Sequence, residues 1–83
     1  HGPTREDAVA LIDEYIAHRL EREGQIVDAL RSGPRTIPEL RSVIYRELDE
    51  RLRRAAEIQI SAHLIKLQEE GRVTEERGRY RLT

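Results

Sequence analysis

The 83-residue sequence has no cysteine, methionine, tryptophan or phenylalanine. Without cysteine there is no disulfide, no thiolate zinc finger and no thiol nucleophile. Without methionine, it reads as a processed chain or a piece of something larger. No apolar run approaches the roughly 20 residues that span a bilayer. No signal-peptide pattern opens the chain, so the expected location is the cytoplasm, with no membrane partner. Charge of one sign is lacking too. Fifteen Lys and Arg against 16 Asp and Glu leave a net charge of −1, so nothing global draws the chain to nucleic acid.

What is present suits one small helical domain, since hydrophobic and charged residues each make up 37%. Thr4 with Asp7 reads as a capping-box-like helix start. Ala8, Leu11, Ile12, Tyr15, Ile16 and Leu20 follow at helical spacing, and the phase continues to Val27 and Leu30. Gly24 interrupts this stripe at a cost of about 1 kcal/mol. The expectation is one long helix kinked there, or two helices meeting there. Arg19 and Glu23 form an (i, i+4) pair expected on the exposed side. Ser32-Gly33-Pro34 ends the helix.

Thr36 and Glu39 repeat the capping-box spacing, with Pro38 in the first turn, and Leu40, Val43, Ile44 and Leu48 mark the expected buried face. Asp49–Arg54 reads as a charged loop or frayed turn. A third helix is expected from about Arg54 to Glu70, closed by Gly71. Beyond it, Val73–Glu76 and Arg79–Leu82 flank Arg77-Gly78 as a short hairpin, and Arg79-Tyr80-Arg81-Leu82 alternates like a half-buried strand. The fold class expected is mainly α: a winged helix, with a helix-turn-helix core of three helices and a β-hairpin wing.

The third helix has two apolar faces. At 100° per residue, Ala56, Ile60, Leu64 and Leu67 fall within about 80° and form the core stripe. Ile58, Ala62 and Ile65 fall within about 60° of one another on the opposite side. A second apolar face needs a cover, so these three residues are the expected interface. The competing expectation is that the long N-terminal helix wraps over them.

Three stretches carry a family resemblance: Tyr15-Ile16-Ala17-His18-Arg19 leading to Arg22-Glu23, Gly33–Leu40, and Ala62–Leu67 running into Glu70–Val73. Together, over roughly residues 10–73, they resemble the winged-helix domain that follows the catalytic domain in metallo-β-lactamase-fold hydrolases. The "HLxKLxxEG" stretch is common to many winged helices; its combination with the "YIAHR" helix is more specific. Residues 74–83 carry no part of this pattern. The resemblance implies that residues 1–23 are a connecting segment and N-terminal helix following a catalytic domain, and residues 24–83 the winged helix. It implies partnership with that domain, a possible homodimer, and a zinc-dependent hydrolase as parent.

His1-Gly2-Pro3 resembles the turn that supplies the last histidine ligand of that enzyme fold, so the resemblance makes His1 a metal ligand of the parent. The alternative is a remnant left by a cleavage site. The family's other ligands, including its "HxHxDH" motif, are absent, so no cofactor is expected in this chain alone. Relatives hydrolyse phosphodiesters or thioesters, and the substrate does not carry over.

No residue reads as catalytic here. His18 and His63 lie 45 positions apart without a ligand spacing and read as structural. Ser32, Ser42 and Ser61 lack a nucleophile-elbow context. Nucleic-acid binding is the reading from a different class. Residues 55–71 carry a net −2, which opposes phosphate, whereas residues 41–54 and 72–83 each carry +2. Arg51, Arg53, Arg54, Arg77, Arg79 and Arg81 therefore form a candidate RNA patch with Tyr80 available to stack. An ordinary solvated surface is the favoured reading of that patch.

Overall fold

The computed structural model describes the backbone of residues 5–83 and the side chains of residues 16–83. The Thr4 cap and His1 lie outside the described residues. Helix α1 spans Arg5–Leu30, α2 Ile37–Ile44 and α3 Arg53–Glu69, with a 3₁₀ turn at Glu50–Leu52 before α3. Strands β1 (Val73–Glu76) and β2 (Arg79–Leu82) close the chain as an antiparallel pair. Three helices followed by this hairpin are the winged-helix order.

Helix α1 runs unbroken through Gly24, so two helices do not meet there. A Cβ at Gly24 would meet nothing within 4 Å, so the residue answers no packing need. The helix ends at Leu30 through a turn in which the Gly33 amide donates to the Leu30 carbonyl. Gly33 there takes a φ of +135°, a conformation glycine adopts at little cost.

Helix α2 starts on a complete capping box. The Thr36 hydroxyl accepts from the Glu39 amide at 3.3 Å, and the Glu39 carboxylate accepts from the Thr36 amide at 3.0 Å. Of the four expected core positions in this region, only Leu40 is fully buried. Ile44 packs partly against the core, Val43 is exposed, and Leu48 lies beyond the helix end. Eight residues make little more than two turns, too short to carry a stripe to Leu48.

The core joins Ile26 and Leu30 of α1, Leu40 of α2, Ile60, Leu64 and Leu67 of α3, and Val73 of β1. All four residues of the expected α3 stripe are buried. In α1 the phase is rotated from expectation. Ile16 and Leu20 are exposed, Val27 is half-buried, and Glu23, Ile26, Ala29 and Leu30 turn inward. The body of the domain lies alongside the C-terminal half of α1, and apolar spacing does not reveal where along a helix contact begins.

The wing turns through Arg77 (φ +55°) and Gly78 (φ +79°), a two-residue connection with both residues left-handed, as type I′ hairpins require. Tyr80 and Leu82 point toward the core while Arg79 and Arg81 point outward, as the alternation predicts. Reciprocal backbone bonds between Arg35 and Tyr80, at 3.0 and 2.8 Å, bind the α1–α2 turn to the wing. Arg41 and Glu57 pair to link α2 with α3.

Candidate functional site

Two features on α3 are available for function: its outward apolar face and its seam with α1. On the outward face Ile58 is 61% exposed and Ile65 54%, with Ala62 exposed between them. The described part of α1 does not cover them, because α1 meets the adjacent side of α3. No membrane-spanning helix exists among the described residues.

The seam is organised by a buried carboxylate. Glu23 is 4% exposed and accepts from Lys66 Nζ at 2.8 Å. His63 Nδ1 lies 3.7 Å and Arg19 Nε 3.8 Å from the same oxygen. The Arg19–Glu23 pair is thus only half exposed: Arg19 faces solvent and Glu23 is buried. Glu23 sits three and seven residues before Ile26 and Leu30, in phase with the buried row, and that phase was the available signal. Burial alone would raise the Glu23 pKa, but Lys66, His63 and Arg19 together outweigh it and hold the carboxyl below its usual value. His63 is shifted down, first by burial and then by Arg19 and Arg22, with Glu23 opposing.

His18 and His63, distant in sequence, border one cleft of about 150 Å³ together with Arg19, Arg22 and Gln59. The Arg22 guanidinium stacks 4.4 Å from the Tyr45 ring centroid and donates to Gln25 at 2.7 Å. His63 is half-buried beside Glu23, whereas His18 is exposed with Glu21 at 3.9 Å. No cluster of three or more metal-ligating side chains exists among the described residues, so the zinc that the resemblance implies has no site built from them. Ser32 and Ser42 hydroxyls donate to backbone carbonyls of Ala29 and Pro38.

The arginines divide into two groups. Arg77, Arg79 and Arg81 border one cavity of about 310 Å³ with Pro34 and Glu76, and Arg79 also faces Glu39 at 3.7 Å. Arg51 is bound to Asp49 at 3.0 Å, and Arg53 lies 3.6 Å from Glu50. Tyr80 packs partly against the core and keeps part of its ring exposed. One expectation changes. Helix α3 begins at Arg53, which brings Arg53 and Arg54 into its first turn; Arg53–Glu69 then carries +1, not a net negative charge.

A helical core, a two-stranded wing and an outward-facing third helix define a winged-helix domain. Residues 36–81 match the family described as the beta-lactamase associated winged helix domain, and the chain belongs to that family. The match extends through the wing, where the sequence alone carried no recognised pattern. The chain is also 34% identical over 76 residues to the beta-lactamase-like protein 2 homolog of Drosophila melanogaster. That alignment takes in 88% of this chain but 26% of the relative, so the chain spans about a quarter of that protein's length.

Proposed function

We propose that this chain is a non-catalytic accessory domain of a metal-dependent, zinc-type hydrolase of the metallo-β-lactamase fold. In this reading residues 1–23 lead out of the catalytic domain and residues 24–83 form the winged helix. The 23/24 boundary falls inside α1, so in this reading one helix runs on across it. The observation that carries the proposal is the outward face of α3. Burying an isoleucine side chain contributes about 1.5–3 kcal/mol, so Ile58 and Ile65 together supply a useful domain contact. Ala62 between them permits close approach. The partner surface is the catalytic domain of the same protein or a second copy of it, and His1, in the parent, would complete the metal site.

The test is Ile58→Glu with Ile65→Glu in the full-length protein, followed by size-exclusion chromatography and metal-dependent turnover. Glutamate is as good a helix former as isoleucine, so the helix should survive. Loosened assembly or reduced turnover with an intact circular-dichroism spectrum is expected. Unchanged assembly and turnover would overturn the proposal.

A second reading, a nucleic-acid-binding module and RNA platform for a nuclease, is favoured by the arginines in the first turn of α3 and at the wing. The N-terminal end of a recognition helix is where base contacts occur. Two exposed isoleucines in the middle of that helix suit a protein surface better than a charged groove. Sub-micromolar, sequence-specific duplex binding at physiological salt, measured by anisotropy, would promote this reading; weak, salt-sensitive binding is expected.

A further inference from the structure

His18 and Arg19, from the Tyr15–Arg19 stretch, stand over the seam with α3. We propose that the α1–α3 cleft bordered by His18, Arg19, Arg22, Gln59 and His63 binds a phosphate-sized oxyanion, either inorganic phosphate or a phosphate ester. The inference rests on this seam and not on the role of Ile58 and Ile65.

Every side chain bordering the cleft offers nitrogen donors, and no carboxylate is among them. The nearest buried acid, Glu23, accepts from Lys66 at 2.8 Å and is also faced by Arg19 Nε at 3.8 Å and His63 Nδ1 at 3.7 Å, so a ligand in the cleft would meet the other nitrogens of those two side chains. Glu21, 3.9 Å from His18, is solvent-exposed. Arg22 lies with its guanidinium over Tyr45 and donates to Gln25, contacts that restrict its positions before any ligand arrives. The cleft, about 150 Å³, admits one tetrahedral anion, and a second cavity of about 290 Å³ shares Arg19, Gln59 and His63 with it.

His63 borders the same cleft and gives a readout of an anion there. Burial and the two guanidiniums disfavour its imidazolium form, and only Glu23 favours it. A bound oxyanion adds negative charge beside that ring and reverses the balance. Anion binding and His63 protonation are therefore coupled: each promotes the other, with His18, Arg19, Arg22, Lys66 and Glu23 as the charged or titratable groups around them.

The experiment is an NMR pH titration of the His63 C2 proton in the full chain, with inorganic phosphate, glycerol phosphate, or chloride at matched ionic strength. Phosphate should raise the His63 midpoint by about one unit relative to chloride, a tenfold change in proton affinity. Arg19→Gln should weaken phosphate binding about tenfold by removing one charge-assisted contact. A shift with both probes assigns the cleft to phosphate esters; a shift with inorganic phosphate alone assigns it to the free ion. An unchanged midpoint, an equal change in chloride, or perturbations confined to the wing arginines would overturn the proposal. Should Arg19→Gln not fold, the wild-type titration decides alone.

Discussion

Replacing Glu23 by glutamine keeps its shape and removes its charge from the α1–α3 seam. The lost contact is a charge-assisted hydrogen bond at 2.8 Å to Lys66, with His63 and Arg19 at longer range. Such bonds contribute about 1.5–3 kcal/mol. Lys66 is 31% exposed, so its ammonium can turn to water, and the lower part of that range applies: roughly 1.5–2 kcal/mol. The pH profile gives an independent check. Glu23 titrates below 4.5 when folded, so its contribution is complete above that value and is lost as pH falls through the lower folded pKa. His63 titrates below 6.5 when folded, so the unfolded chain takes up its proton first, and stability declines as pH drops below 6.5. In Glu23→Gln the carboxylate's acid limb disappears, while His63 loses its only favourable partner and its part of the decline steepens. Urea denaturation followed by circular dichroism across this pH range measures both effects. A change within about 0.5 kcal/mol, the usual scale of surface substitutions, together with an unaltered profile would refute the account.

Thr36→Ala should destabilise the domain by about 1 kcal/mol in urea denaturation, because it removes one half of the capping box. Leu64→Ala, at a fully buried position, should cost about 2–5 kcal/mol, and a thermal melt that is unchanged would remove Leu64 from the core. Gly24→Ala should stabilise by up to about 1 kcal/mol, since the helix gains propensity and the new methyl meets nothing within 4 Å. A loss of stability on that substitution would mean the helix needs glycine's freedom there.

The parts of the fold legible in the sequence are those in which local chemistry and packing agree. Thr36, Pro38 and Glu39 form one capping unit. The α3 stripe repeats at helical spacing along the core, and Gly78 suits the second position of a two-residue hairpin turn, although Arg77 must also take a left-handed φ there. The less legible parts depend on where elements meet. Ile16 and Leu20 belong to the apolar spacing read from the sequence but face solvent, because the buried row of α1 runs through Glu23, Ile26 and Leu30. Glu23 breaks that phase chemically while keeping it geometrically, and its partners Lys66 and His63 come from another helix. The His18–His63 cleft has the same origin, two residues 45 positions apart joined only by the packing of α1 on α3.

The distribution of large apolar side chains bears on why this domain would need company. A chain of this length buries only about 60% of the surface it exposes when unfolded, so each buried isoleucine or leucine counts. Yet Ile16, Leu20, Leu52, Ile58 and Ile65 all remain about half exposed or more. Ile58 and Ile65 are not rim residues of the core, because they stand opposite the stripe that fills it. Bringing them inward would require rotating α3 by about half a turn, which would expel Ile60 and Leu64. Among the described residues, nothing covers the second face while the first stays in the core. A protein surface placed over Ile58, Ala62 and Ile65 would satisfy the second without disturbing the first, and the neighbouring Glu23–Lys66 pair would fix how α1 and α3 present that surface.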